Sequence, residues 1–477
     1  MKKKLIILAV ILRICAHAQP PSKFYTKFGG NGEDIGYSAK QTLDGHYIIA
    51  GSTSSYGAGN TDVYLVKLDS MGLAIWMKNI GGFGNDVGKS VIQLADSGFV
   101  VAGFTNSFGA GGYDAYLLRT DKNGNLIWQT TFGGLDWDFA NDLVQAADGS
   151  VVVVGNTSSF GSGKKDGIVL KYDLLGNLIW QKIIGGVENE ELRSIIKTND
   201  GFLATVGYTE SKNDVNGDGY FLKLDLNGDT LFTRTFGGPY KDYANDVVQK
   251  ASGDYVMAGA KTYSLNGYTE SLMFSISIIG DSLWERHLLK TNEDECFQSV
   301  TNSSTLSYIT AFTRSITFPG LKKQGQIFTA YPAGGFEYQI NEAGGYDDEY
   351  EYSIESTRDG GYISVGSTLS FGSVGKDVWF IKRDSVVLYY SSIISVKEIE
   401  SSYKPIVFSQ AHSLILKFQE ENIAFVEVSD LYGRVIERFY TPKQTLEIET
   451  SNYSSSVYLV MFRFNNGQTY YKKFIVK

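Results

Sequence analysis

The chain of 477 residues is poor in cysteine, proline and histidine, with two, seven and four of each. Cys15 lies within the first 18 residues, which read as a signal peptide, so Cys296 has no partner in the mature chain and an intramolecular disulfide framework is excluded. His46, His287 and His412 share no setting, and no metal-ligand spacing or nucleophile motif accompanies them. Long apolar runs are also missing: past the first twelve residues nothing approaches the roughly 18 uninterrupted apolar residues of a spanning helix. Lys2, Lys3 and Lys4 precede the apolar run Leu5 to Leu12, and Ala16-His17-Ala18 supplies a small-residue cleavage site, so residues 1–18 read as a signal peptide. Its removal takes four basic groups and no acidic one, moving the net charge from −9 to −13 and disfavouring nucleic acid as a partner.

What the chain has is 53 Gly, 31 Tyr and 28 Phe within a 43% hydrophobic composition, which favours short strands joined by tight turns around a sizeable core. Internal repetition organises them. Gly-Gly pairs end at Gly30, Gly82, Gly134, Gly186 and Gly238, a spacing of 52, and another ends at Gly345. The pair is lost at Lys290 in the sixth repeat, but a carboxylate keeps its place in all seven, at Asp34, Asp86, Asp138, Glu190, Asp242, Asp294 (or Glu295) and Glu349, and apolar runs end at Gly51, Gly103, Gly155, Gly207, Gly259 and Gly366, with Ala311 in the sixth repeat.

Each repeat divides into four strand-length pieces, the first two joined by Asp-Gly turns at Asp44-Gly45, Asp148-Gly149, Asp200-Gly201 and Asp359-Gly360. Trp76, Trp128, Trp180 and Trp284 recur in the fourth piece, with Phe232 in one repeat. Four-stranded units of this length are blades of a β-propeller. Phe24 lies 52 residues before Trp76, and the seventh repeat ends on a third strand at Asp377 to Lys382, so the N-terminal strand is expected to complete the last blade. The expected fold is all-β: a seven-bladed propeller over residues 19–390, a linker at 391–396 and a second domain at 397–477. A β-solenoid is the competing geometry, and it leaves the two incomplete ends unexplained.

The blade pattern, from Gly-Gly-x3-Asp through Asp-Gly-Gly-Tyr-Ile and Ser-Phe-Gly to Asp-x-Trp/Tyr-x-x-Lys, resembles repeat propellers of secreted bacterial proteins over residues 23–385. From about Val396 the period stops. Residues 397–477 carry ten basic and nine acidic groups, against 29 and 43 for residues 19–396. Their segments Phe425 to Ile436, Val457 to Val460 and Tyr471 to Lys477 resemble the C-terminal sorting domain of type IX secretion substrates. That resemblance implies the type IX secretion machinery as a partner and delivery to the surface or the medium. By itself, the alternation implies a small antiparallel β-sandwich.

Two acid columns are the candidate binding groups. The first is Asp34, Asp86, Asp138, Glu190, Asp242, Asp294 and Glu349; the second is Asp62, Asp114, Asp166, Asp218, Glu270 and Asp377. Functionally they would hold cations or sugar hydroxyls, and structurally they would cap turns. Asp214, Asn216, Asp218 and Asp225 have calcium-loop spacing, which makes calcium the candidate cofactor, although Asp218 and Asp225 also belong to repeated columns. The Ser-aromatic-Gly loops at Tyr56, Phe108, Phe160 and Phe371 would either stack sugars or wedge between blades. The sixth repeat diverges most and carries Lys322-Lys323, a candidate contact. The expected function is non-catalytic recognition or adhesion of an unknown glycan or protein; the alternative is a carbohydrate-active enzyme built from paired carboxylates.

Overall fold

The computed structural model describes residues 24–476 apart from 213–215, 263–268, 288–295, 303–307, 315–323, 331–335, 342–346, 371–373, 384–405, 411–412, 418–422, 431–434, 441–444, 450–455 and 465–468. The expected signal peptide and linker lie outside the described residues. The chain divides into two compact units, Met1–Tyr389 and Tyr390–Lys477.

The first unit begins with β1 (Phe24–Phe28), β2 (Asp34–Gln41), β3 (Tyr47–Thr53), β4 (Asp62–Leu68) and β5 (Ala74–Ile80). Strands β2 to β5 form one antiparallel sheet in chain order. β3 and β4 are buried along their whole length, whereas β5 alternates exposed and half-buried residues. The apolar runs therefore mark strands covered on both faces, and the alternating fourth strand is the outer edge. Sheets over 86–132, 138–184, 190–236, 243–287 and 297–341 repeat the arrangement. The Asp-Gly turns behave as the sequence indicates, with Gly45, Gly149, Gly201 and Gly360 all at positive φ.

Glu349–Ser356, Tyr362–Thr368 and Asp377–Arg383 make a further sheet, whose fourth strand is β1, paired from Phe24↔Lys382 to Phe28↔Val378. The described residues of this unit thus hold seven four-stranded sheets. The first and last share a core, in which Ala39, Tyr47, Ile49 and Val66 pack with Ile363, Val365, Val378 and Phe380. Both chain ends meet in one sheet, as a propeller requires and a solenoid does not.

Outer strands are stitched to the neighbouring sheet by one recurring contact. A Cβ on Gly124 (φ +75°) would lie 2.8 Å from the Trp76 ring. Gly176, Gly228 and Gly280 stand in the same relation to Trp128, Trp180 and Phe232, and Gly72 to Phe24 of β1. The strand contributed from the far end of the sequence repeats the stitch. A second recurrent bond ties the third strand to the Asp-Gly hairpin: Lys171 reaches Asp148 at 2.6 Å, Lys223 reaches Asp200 at 2.5 Å and Lys382 reaches Asp359 at 2.8 Å.

The second unit has seven strands among its described residues. Val435–Tyr440, Ile423–Asp430, Ser456–Phe464 and Thr469–Val476 form one antiparallel sheet in that order, and Ile406–Gln410, Ser413–Lys417 and Thr445–Glu449 form another. Val426, Val428 and Val460 from the first sheet and Ile448 from the second are buried, in keeping with the alternation read from the sequence.

Gly124→Ala should separate the cost of the stitch from that of the backbone. At Gly149 (φ +85°) a Cβ meets nothing within 4 Å, so Gly149→Ala should cost only the left-handed penalty of about 1 kcal/mol. Gly124→Ala should cost about 1–3 kcal/mol more, because Trp76 must move. Denaturant unfolding of the two variants measures the difference.

Candidate functional site

In all seven first strands the pairing with the second strand slips at the same place, between Gly36 and Ser38 in β2 and at the equivalent point of every other sheet. A bulge leaves one residue outside the ladder and re-aims its side chain. The residues so placed are Tyr37, Lys89, Asn141, Arg193, Asn245, Gln298 and Tyr352, and all of them line one cavity of about 630 Å³. Because first strands from all seven sheets contribute, this cavity is the central channel of the ring.

The residues that follow the bulge form a belt. Ser90 donates to Asp142 at 2.6 Å, and the other Asp142 oxygen accepts the Ile195 amide at 2.9 Å. Ser194 and Ser299 donate to opposite oxygens of Asp246 at 2.7 and 2.6 Å. Each aspartate therefore ties its own sheet to both neighbours. Burial raises the Asp142 pKa, with the Ser90 and Ile195 bonds opposing it.

Above the belt the bulged side chains differ from sheet to sheet. Tyr37 and Tyr352, from the first and last sheets, have ring centroids 5.2 Å apart. Lys89 Nζ lies 3.9 Å from the centroid of Tyr37, and burial pushes its pKa down to about 8. Arg193 donates through Nη1 to Asn245 at 2.6 Å and pairs through Nε with Glu191 at 3.3 Å. Asn245 in turn donates to the Phe297 carbonyl and to Cys296 Sγ, both at 2.8 Å. Burial raises the Cys296 pKa, so this thiol is a packed acceptor rather than an activated nucleophile.

The first acid column serves the loops. Asp34, Asp86, Asp138, Glu190, Asp242 and Glu349 are all buried. Asp138 accepts the Gly134 amide at 2.9 Å and the Ser159 hydroxyl at 2.7 Å, as well as the Thr157 hydroxyl. Asp86 is held the same way by Gly82, Ser107 and Thr105. The second column meets the first across the Gly-Gly pair. A Cβ on Gly81 would fall 2.1 Å from Asp62 Oδ1 and 2.5 Å from Asp86 Oδ2, and Gly133 and Gly185 separate Asp114 from Asp138 and Asp166 from Glu190 equally closely. The leading glycine is needed because two carboxyl groups occupy the space of its side chain. Asp294 lies outside the described residues; by count, Glu295 stands four before Ser299, as Asp34 stands four before Ser38.

The calcium spacing does not come together. Asp218 opens the strand Asp218–Leu224 and Asp225 follows its far end, and seven extended residues span about 23 Å. Asp225 instead caps its own turn, accepting the Asn227 and Asp229 amides at 2.8 Å, while Asn216 donates to the Pro239 carbonyl at 2.9 Å. Asp214 lies outside the described residues, as do Phe371, Lys322, Lys323 and His412. Among the described residues no group of three or more His, Cys, Asp or Glu side chains is placed to hold a metal ion. The loop aromatics lie against the neighbouring Gly-Gly turns, with Tyr56 and Phe160 still exposed: Tyr56 donates to the Gly29 carbonyl at 3.0 Å, and a Cβ on Gly82 would lie 3.1 Å from the Phe108 ring. Phe83, Leu135 and Val187, which directly follow Gly-Gly in three successive repeats, are well exposed, and Trp137 stands beside Tyr113 at 5.9 Å. Sequence reading missed both these positions and the bulge column. The signal for both was variation at one fixed offset inside an otherwise constant repeat.

Residues 410–477 match the secretion system C-terminal sorting domain. The chain ends in a type IX sorting domain. It is an exported β-propeller protein, secreted or attached at the cell surface. Regulatory protein FlaEY of Caulobacter vibrioides (strain ATCC 19089 / CIP 103742 / CB 15) is similar at 28% identity over 319 residues, which covers 60% of this chain and 31% of that relative. The chain thus spans under a third of the curated relative's length. Among solved structures, the Neurospora crassa Pan2 WD40 domain is 11% identical, with 75% of this chain and 95% of that one covered and a TM-score of 0.45. Sqt1 of Chaetomium thermophilum is 14% identical, with 72% and 82% covered and a TM-score of 0.44. No described helix is long and apolar enough to cross a membrane.

The acid pairs set a pH dependence. Burial, reinforced by the neighbouring first-column acid, raises the pKa values of Asp62, Asp114 and Asp166. A raised folded-state pKa contributes stability that is fully present below the unfolded carboxylate value near 4 and is lost as pH climbs through the folded value. Replacing all three with Asn should flatten the loss of stability as pH rises from about 4 to 7, as measured by thermal unfolding across that range.

Proposed function

We propose that the exported propeller is a non-catalytic recognition or adhesion module whose ligand enters the central channel at the bulged ring. The observation that carries this reading is the contrast between neighbouring columns. Acids and glycines that hold the loops repeat from sheet to sheet, whereas the bulge places a different hydrogen-bonding or aromatic side chain at nearly every step around one cavity. Ligand sites combine a shaped cavity with a few convergent polar groups. The carboxylates that line this one are engaged: Asp142 and Asp246 in the belt, Glu191 with Arg193 and Lys165, and Glu355 with Lys40 at 2.7 Å. Paired in this way, they are poor general acids or bases.

Residues 1–18 direct the first export step in this reading, and residues 397–477 direct passage across the outer membrane through the type IX machinery. Deleting 397–477 should leave the propeller in the periplasm, as followed by fractionation; normal surface delivery of the truncated chain would refute the route.

The function itself is tested on a glycan and polysaccharide array probed with exported protein, with and without calcium, every bound polymer then being assayed for new reducing ends. Binding without cleavage is the expected result. Release of oligosaccharides would instead establish a carbohydrate-active enzyme.

A further inference from the structure

We propose that the channel mouth binds a carboxylate-bearing saccharide, its carboxylate seated between Lys89 and Arg193 and its ring against Tyr37 and Tyr352. This rests on the channel being the recognition site and names the class of ligand.

Lys89 makes no hydrogen bond or ion pair with the described residues, and its ammonium contacts only the face of Tyr37. A cation buried without a hydrogen-bonded anion is held at a cost: burial lowers the Lys89 pKa, the charge of Glu191 opposes that fall, and the nearby Arg193 adds to it. Glu191 offsets the cost only in part, its carboxylate being bound to Arg193 Nε at 3.3 Å and to Lys165 at 3.5 Å. An arriving anion relieves the remainder. Arg193 keeps a donor in reserve: Nε and Nη1 are used, whereas Nη2 bonds to none of the described residues. Two bulged cations therefore flank Asn141, each with unused donor capacity facing one cavity.

The bulged ring carries two cations, Lys89 and Arg193, and no carboxylate, while the carboxylates that line the cavity, Asp142, Asp246, Glu191 and Glu355, are each held by hydroxyls or cations. The two cations suit an anionic ligand. The planar Arg193 guanidinium favours a carboxylate. The rest of the ring suits a sugar, since Gln298 and Asn141, whose Nδ2 also reaches the Leu192 carbonyl at 2.8 Å, bring amides to the cavity for hydroxyl groups, and the neighbouring rings of Tyr37 and Tyr352 bring apolar surface. A cavity of about 630 Å³ with the Ser and Asp belt below the ring has room for a short saccharide.

The test is calorimetric titration of the exported full-length protein with oligogalacturonate, oligoglucuronate and sialyllactose, each against its methyl ester. At least one acid should bind ten-fold or more tightly than its ester. Lys89→Gln should remove that preference without lowering the thermal midpoint, and Lys89→Arg should retain it. Equal binding of acid and ester, no binding of any acid, or an unchanged preference in Lys89→Gln would overturn the proposal. Tyr352→Ala separates the two levels. If it weakens ester binding while Lys89→Gln has no effect, the carboxylate assignment fails and the channel site stands; if neither substitution alters any binding, the channel site fails as well.

Discussion

The pairing of Phe24–Phe28 with Asp377–Arg383 is the constraint on which the propeller depends. With no disulfide available, the ring is closed by backbone hydrogen bonds, by the shared core of first and last sheets and by the contact of Phe24 with Gly72. Closure also brings Tyr37 beside Tyr352, two residues that lie 315 positions apart. Without it the channel has no wall on that side and the bulged ring is broken.

Constant and variable columns divide the labour. The Gly-Gly glycines leave space for paired carboxyl groups, which hold the amides and hydroxyls of the loops around them. Asp142 and Asp246 span neighbouring sheets from inside the channel. Once those groups fix the position of each first strand, the bulge places a side chain that the fold itself hardly restricts. A change at one bulged position therefore leaves the contacts that hold the scaffold untouched.

The repeat made the sheets legible. Gly-Gly spacing, Asp-Gly hairpins, buried second strands and the orphan strand at Phe24 are all local patterns, and the strand order follows them. Burial of the second strands was legible as well, from apolar runs such as Tyr47 to Ala50 in β3, whereas β4 is buried along its length although it carries Asp62 and Lys67. The site was not. Acids drew attention through repetition, yet repetition marks what every sheet needs to fold, and Asp138 or Glu190 is consumed by its own loop. In the calcium spacing, a strand and not a loop separates Asp218 from Asp225. The bulge at Tyr37 and its counterparts arises from how two strands register, which residue types at single positions do not encode.

The most direct measurement is a cross-link between positions 37 and 352. In a Cys296→Ser background, Tyr37→Cys and Tyr352→Cys should be joined within one chain by a short bis-maleimide, giving a single intramolecular adduct by mass and a loop resistant to unfolding on gels. Two independently modified cysteines with no internal link would contradict a closed ring and the channel built upon it.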